Sequence, residues 1–189
     1  MKKFLLLPAL SAAFLLTAEE PAAKTVKIQD FEKQSKSGWQ VYAAAGTPGS
    51  VSFTDDTLCG ESAIKITVTP CKSYRGVIYH DAPKMPANAV ALSFMMKPIQ
   101  GSMPHVMGIS LRQKPWGKIL DGGTGNIKVT GNDWQKVRLD LTKLRSNMQG
   151  PNFGKPVTLK PGIYSIAWYV PAGMNTAEFL LDDIAWEVK

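Results

Sequence analysis

Short runs of alternating apolar and polar residues follow one another along most of the chain. In 62–69, for example, Ile64, Ile66 and Val68 alternate with Lys65 and Thr67. A period of two is typical of a β-strand with one buried face. The alternation predicts strands at 26–31, 39–44, 50–54, 62–69, 75–80, 89–97, 106–112, 119–121 with 127–129, 134–139, 163–170 and 178–188.

Glycine and proline separate these runs, as in Thr47-Pro48-Gly49 and Lys160-Pro161-Gly162. Only 141–148 is helix-like, and it is a turn or two long. Regularly spaced short strands with such turns favour a sandwich or barrel, and the lack of long amphipathic helices argues against an α/β fold. We therefore predict an all-β protein, a two-sheet antiparallel β-sandwich of the jelly-roll kind, as one domain over 26–189.

The first residues have the pattern of a secretory signal peptide. Lys2 and Lys3 precede an apolar run over 4–16, which ends at small residues near Ala18. The run is too short to span a bilayer. The pattern predicts a signal peptide over 1–18, a disordered leader over 19–25, and a secreted or periplasmic protein without membrane insertion.

The distribution of charge argues against one class of partner, and the two cysteines raise the question of a disulfide. The net charge is +7, but the basic residues are scattered, whereas a nucleic-acid footprint is clustered. No nucleic-acid partner is therefore expected. Cys59 and Cys71 flank a strand about 26 Å long, so a disulfide requires one loop to fold back along it, and the spacing leaves this open.

Acidic residues interrupt apolar strand-like runs at both ends of the chain. Asp30 and Glu32 flank Phe31 near the start, and Asp182 and Asp183 lie within Phe179–Trp186 near the end. An unpaired carboxylate is costly to bury. Because the first and last strands of an antiparallel sandwich can meet, a calcium ion is the simplest partner for these acids.

The order and spacing of several motifs resemble the jelly-roll carbohydrate-binding modules and the related galactose-binding-like domains. The motifs are Asp30-Phe31-Glu32 with Gly38-Trp39, Gly60 before 62–69, Ala91-Leu92-Ser93-Phe94, the run 133–141, and 179–184. The resemblance implies two antiparallel sheets, one of them concave, and a polysaccharide or oligosaccharide ligand. It also implies a structural Ca²⁺ held by Glu32, the carbonyl of Asp30, the loop 55–61 with Glu61, and Asp182 or Asp183.

Strand alternation then suggests which residues line the concave sheet. A jelly roll divides its strands between sheets, which places 75–80, 106–112, the 119–129 region and 163–170 together. Apolar parity turns Met107 inward and Arg112 and Tyr169 outward, while 75–80 presents either Tyr79 or His80. With Trp116 in a loop, the predicted ligand-binding residues are Trp116, Arg112, Tyr169, Tyr79 and His80. Trp134 and Trp186 are expected in the core.

The sequence lacks the motifs of the enzymes that use similar folds. No strand carries the paired carboxylates of a glycosidase, and no nucleophile elbow or P-loop is present. We therefore expect a non-catalytic carbohydrate-binding protein. The alternative is a structural or interaction domain that binds other exported proteins through the same fold.

Overall fold

The computed structural model describes residues 24–43, 46, 48–73, 75–99, 106–113, 122–146, 151–172 and 175–189. This part of the chain contains twelve strands and a single turn of 3-10 helix at Leu141–Lys143. The strands are β1 (Lys24–Gln29), β2 (Trp39–Ala43), β3 (Gly49–Thr54), β4 (Ala63–Val68), β5 (Arg75–Tyr79), β6 (Ala89–Pro98), β7 (Val106–Gln113), β8 (Gly122–Lys128), β9 (Gln135–Asp140), β10 (Arg145–Ser146), β11 (Tyr164–Val170) and β12 (Ala177–Val188).

These strands form two antiparallel sheets, which confirms the predicted jelly-roll sandwich. One sheet has the order β3-β4-β12-β6-β9, and β1 also pairs with β12; we call it the β12 sheet. The other has the order β10-β8-β7-β11-β5-β2, and we call it the β11 sheet. The described parts of all four strand regions predicted to share the concave sheet lie in the β11 sheet. The first and last strands pair directly, from Lys24 opposite Val188 to Gln29 opposite Ile184.

The core fills the space between the sheets. Met107, Ile109 and Leu111 of β7 are fully buried, as are Tyr164, Ile166 and Trp168 of β11. Their inward parity is the one predicted from the apolar alternation. Trp186 of β12 is also buried, as expected.

A β-bulge in β12 changes the parity of the last strand. The pairing with β6 shifts between Asp182 and Ala185, and Asp183 has φ 45°. Phe179 and Leu181 face the core before the bulge, and Ile184 and Trp186 face it afterwards. Strict alternation would group Asp182 with Ile184; the extra residue instead leaves Asp182 on the opposite side of the strand.

Several element boundaries differ from the predicted ones by one or two residues, and three regions differ more. β8 is continuous over Gly122–Lys128, where 119–121 and 127–129 were predicted, and 119–121 lies outside the described residues. β1 begins at Lys24, inside the segment predicted as leader. Of the helix-like stretch 141–148, only Leu141–Lys143 is helical, and Arg145–Ser146 is a strand that pairs with β8. The predicted signal peptide and Trp116 lie outside the described residues. Within those residues, no helix is long and apolar enough to cross a membrane.

Candidate functional site

The β11 sheet has one face on the core and one face turned away from it. The second face, which we call the β11 face, carries the outward residues of the alternation in β2, β5, β7, β8, β10 and β11. Its middle consists of small side chains, Ser110, Ser165 and Ala167, which are buried to 2% exposure or less. The larger polar and aromatic side chains of the face surround them.

The strand register aligns one row of residues across this face. Tyr42 of β2 lies opposite Gly76 of β5, Gly76 opposite Tyr169 of β11, Tyr169 opposite Gly108 of β7, and Gly108 opposite Asn126 of β8. Neighbouring strands are about 4.8 Å apart, so each of the three side chains is roughly 10 Å from the next. The row therefore alternates a ring or an amide with a glycine.

The two glycines leave space around the Tyr169 ring. A Cβ on Gly76 would lie 3.1 Å from Tyr169 Cδ1, so the ring leans over this glycine. Beside Gly108 is a shallow, open depression of about 470 Å³, lined by Ser73, Gly108, Tyr169, Val170, Pro171 and Ala172. The lining is largely apolar, with one phenol and one hydroxyl.

The structure decides between Tyr79 and His80. Tyr79 is only 6% exposed and stacks on Trp39, with ring centroids 4.8 Å apart. Its inward parity places it in the core, so its prediction as a ligand-binding residue is wrong. His80 is half-buried on the other side of the sheet, and its Nε2 lies 3.1 Å from Gln40 Oε1.

The remaining predicted residues of the cleft have different outcomes. Arg112 and Tyr169 are half-buried and face outward on β7 and β11, as predicted. Trp116 lies outside the described residues, so its contribution stays a prediction. Tyr42, which is 39% exposed, was not predicted as a site residue. The signal was present in the sequence, because Trp39 and Val41 form the apolar parity of β2 and leave Tyr42 outward.

The acids predicted to hold calcium lie at the junction of β1 and β12. Asp182 is fully buried, and burial raises the pKa of its carboxyl above the ordinary value. Three donors partly offset this effect: Thr57 Oγ1 at 2.7 Å, Asp183 N–H at 2.7 Å and Cys59 N–H at 3.4 Å. No lysine or arginine of the described chain forms an ion pair with it.

The other acids are exposed or paired. Both oxygens of Glu32 accept from the Glu61 N–H, at 3.2 and 3.1 Å. Asp30 and Asp183 share Lys27, whose Nζ lies 3.5 Å from one carboxylate and 3.6 Å from the other. Partial burial acts to lower the pKa of Lys27, but these two carboxylates raise it above its usual value.

Several of the atoms around Asp182 are of the type that calcium binds, because they are oxygens. Thr57 Oγ1 is 2.7 Å from Asp182 Oδ2 and 2.7 Å from the Cys59 carbonyl oxygen, so three oxygens lie together. Calcium takes six to eight oxygens. Among the described residues, no three His, Cys, Asp or Glu side chains are grouped closely enough to hold a metal ion, so hydroxyl and carbonyl oxygens would have to complete any coordination here. Cys59 and Cys71 are free thiols, one exposed and one buried.

The outer face of the β12 sheet is occupied by ion pairs. Glu187 accepts from Arg138 at 2.6 Å and lies 3.1 Å from Lys136. Asp56 pairs with Lys97 and accepts a hydrogen bond from Trp134 Nε1 at 3.2 Å. Trp134 is therefore half-buried on this outer face, and its predicted core position is wrong.

With this geometry in place, the fold can be compared with known proteins. No protein-family model matches the chain, and no curated protein is significantly similar in sequence. The fold is that of the jelly-roll carbohydrate-binding modules. The family 11 carbohydrate-binding module of a cellulosomal cellulase of Clostridium thermocellum is 17% identical, with a TM-score of 0.65 over 89% of this chain and 97% of that chain.

Two further structures illustrate the range of proteins with this fold. The Clostridium thermocellum family 11 module in complex with a β-1,3-1,4-mixed-linked tetrasaccharide is 16% identical, with a TM-score of 0.66 over 89% of this chain and 98% of that chain. An exo-β-agarase structure is 13% identical, with a TM-score of 0.58 over 87% of this chain but only 26% of that chain.

Proposed function

We propose that this protein is a non-catalytic carbohydrate-binding protein whose β11 face binds a polysaccharide or oligosaccharide. The observation that carries the proposal is the row in which Tyr42, Tyr169 and Asn126 alternate with glycines. Sugar rings present flat C–H faces that pack on aromatic planes, and their hydroxyls need fixed polar partners. The row offers both, beside a shallow, open depression of about 470 Å³.

The surrounding side chains suit the hydroxyl groups of such a ligand. Gln40 and His80 lie together on the β2 side of the face, and Arg112 lies on the central strand β7, opposite Ser165 of β11. These groups can donate and accept several hydrogen bonds. The solved structures with the same fold include carbohydrate-binding modules, one of them in complex with a tetrasaccharide, which supports the proposal at the level of the class of ligand.

Alanine variants at the two outward-facing rings test the proposal. We expect Tyr42→Ala and Tyr169→Ala each to weaken glycan binding at least tenfold, since buried aromatic anchors dominate most interfaces. Affinity electrophoresis against a panel of neutral and acidic polysaccharides measures this. Val26→Ala is the matched control, because Val26 is also 39% exposed but belongs to β1, which pairs in the β12 sheet. A panel that shows no binding to the unmodified protein would favour a protein-interaction domain.

We also propose a structural calcium ion at the buried Asp182. Its carboxylate, the Thr57 hydroxyl and the Cys59 carbonyl would hold the ion, with Glu32 contributing from the other side of the same loop. When bound, the ion would supply the positive charge that the buried carboxylate lacks among the described residues. It would thereby link β12 to the segment that follows β1.

Thermal melting with and without chelator tests the ion. A ligand that binds only the folded state stabilises it by mass action. We expect excess EDTA to lower the melting midpoint by several degrees and added Ca²⁺ to restore it. In Asp182→Asn the midpoint should be lower and should no longer respond to either reagent. A midpoint of the unmodified protein that does not move with EDTA would count against the site.

Export from the cytoplasm is the third part of the proposal, and it rests on the sequence of residues 1–18. The N-terminal sequence of the protein recovered from its native cells tests it directly. We expect an N-terminus near Glu19, whereas an intact Met1 would contradict export through this segment.

A further inference from the structure

The two sheets differ in the way they carry charge. None of the strands of the β11 sheet contains an aspartate or a glutamate, whereas β9 and β12 contribute five acids to the β12 sheet: Asp140, Glu178, Asp182, Asp183 and Glu187. On the β12 sheet, Lys65, Lys97, Lys136 and Arg138 each bond to a carboxylate. Each of these four positive charges is therefore neutralised by a carboxylate of the protein.

Two basic residues of the β11 face, Lys128 and Arg145, have no such carboxylate partner among the described residues. Both are exposed and face outward. Arg145 lies beside Thr124 on β8, and Lys128 is four residues further along the same strand, about 13 Å away. Arg112 adds a third positive charge, on β7 next to Gly122.

Lys128 and Arg145 flank one end of the aromatic row. Asn126, the last member of the row, lies between Thr124 and Lys128 on the same outward side of β8. Asp81 follows β5 at the opposite margin, and its Oδ2 accepts a hydrogen bond from Ser37 Oγ at 3.2 Å. A ligand that lies along the row and reaches Asn126 thus comes between two cationic side chains.

We infer that the β11 face recognises an anionic polysaccharide, one whose sugar units carry carboxylate groups. The inference rests on the proposed carbohydrate binding and names the class of its ligand. A neutral glycan placed over Lys128 and Arg145 would remove water from both charges and return no counter-charge, which costs free energy. A uronate carboxylate supplies that counter-charge, and the arginine fork matches its two oxygens. The acid-free sheet also attracts a polyanion from a distance.

Paired polymers isolate the effect of the carboxylate. Soluble β-glucan, β-galactan and β-mannan are each compared with the same polymer after oxidation of its C6 hydroxymethyl groups to carboxylates. For the backbone that binds best, we expect the oxidised form to bind at least tenfold more tightly in 0.05 M salt. The preference should shrink in 1 M salt, where screening reduces the Debye length to about 3 Å.

Two double variants with the same change in net charge provide the control. Lys128→Gln/Arg145→Gln removes two charges from the β11 face, and Lys65→Gln/Lys143→Gln removes two from elsewhere on the surface. Exposed ion pairs are worth about two- to fivefold in affinity each, so the first variant should reduce the preference for the oxidised polymer about tenfold. The second should leave the affinities for both polymers unchanged.

Each outcome separates this inference from the proposed function. Equal or tighter binding of the neutral polymers overturns the anionic ligand and leaves carbohydrate binding in place. An equal loss in both double variants also overturns it, because net charge rather than the β11 face then explains the effect. Failure of all six polymers to bind overturns the proposed carbohydrate binding itself.

Discussion

Two glycines of the β11 face have opposite surroundings, although they belong to the same row. A Cβ on Gly76 would lie 2.2 Å from the Trp168 carbonyl oxygen, which is backbone and cannot move aside. A Cβ on Gly108 would meet nothing closer than Tyr169 Cβ at 3.6 Å, an ordinary contact. Gly76 therefore allows β5 and β11 to approach closely, while Gly108 leaves space on the surface.

The matched substitutions separate these roles. Gly76→Ala should destabilise the protein by about 1–3 kcal/mol, because the methyl group forces the two strands apart. Gly108→Ala should be neutral or stabilising by up to about 1 kcal/mol, because it restricts the unfolded chain at no steric cost. It should nevertheless weaken glycan binding, since the methyl group narrows the depression. Urea unfolding and affinity electrophoresis measure both effects, and equal losses of stability would contradict the distinction.

Tyr79 and His80 likewise differ in their contribution to stability, because Tyr79 lies in the core and His80 lies on the β11 face. Tyr79→Ala removes a ring stacked on Trp39 in the core and should cost about 3–5 kcal/mol of the free energy of unfolding. His80→Ala should change that free energy by no more than about 0.5 kcal/mol. Chemical denaturation of the two variants checks this. If Tyr79→Ala were stable but lost glycan binding, its ring would have to reach the β11 face.

At the scale of elements, β12 carries a second buried acidic side chain besides Asp182, namely Glu187. The Glu187 side chain is 3% exposed, between Arg138 and Lys136. Burial acts to raise the pKa of Glu187, but the hydrogen bonds from Arg138 and then Lys136 hold it below the ordinary value of 4.5. The folded protein thus binds fewer protons than the unfolded chain in the acidic range, so this contribution to stability is complete above the unfolded pKa.

Acid unfolding of Glu187→Gln tests this pair of hydrogen bonds. The substitution should cost about 1–2 kcal/mol at pH 7, a range reduced because both cationic partners are half-exposed. As the pH falls through the folded pKa, the unmodified protein should lose that amount and the difference between the two proteins should vanish. A constant difference between pH 7 and pH 2 would show that the effect is not ionic.

The sequence predicts this architecture well where alternation is uninterrupted and poorly where one residue breaks it. β7 and β11 keep strict parity, so their core and outward residues followed directly. The bulge at Asp182 and Asp183 inserts a residue that no local pattern marks, and it determines which acid is buried. Tyr79 was ambiguous because β5 is apolar on both faces, with Ile78 outward. The core position predicted for Trp134 was wrong because its Nε1 donates a hydrogen bond to Asp56, a residue 78 positions away that no local pattern connects with it.

At the scale of the whole molecule, the first and last strands of the chain pair with each other and complete the β12 sheet. β4 pairs with the first part of β12, over Ala177–Leu181, and β1 pairs with the second part, over Ile184–Val188. Without β1, the second part of β12 would have an unpaired edge. The proposed ligand surface lies on the other sheet, so closure of the sandwich and recognition of the ligand involve different sheets.

Truncation separates closure from the acids that follow β1. A chain that starts at Lys24 keeps all twelve strands, and a chain that starts at Asp30 loses β1 but keeps Phe31 and Glu32. Most of β1 is exposed, so we expect its removal to cost about 2 kcal/mol, which for a domain of this size lowers the melting midpoint by roughly 4–8 °C. Glycan affinity measured well below that midpoint should be the same for both chains, because β1 pairs with β12 and so belongs to the other sheet. Equal midpoints would show that pairing with β1 is not needed to protect the edge of β12.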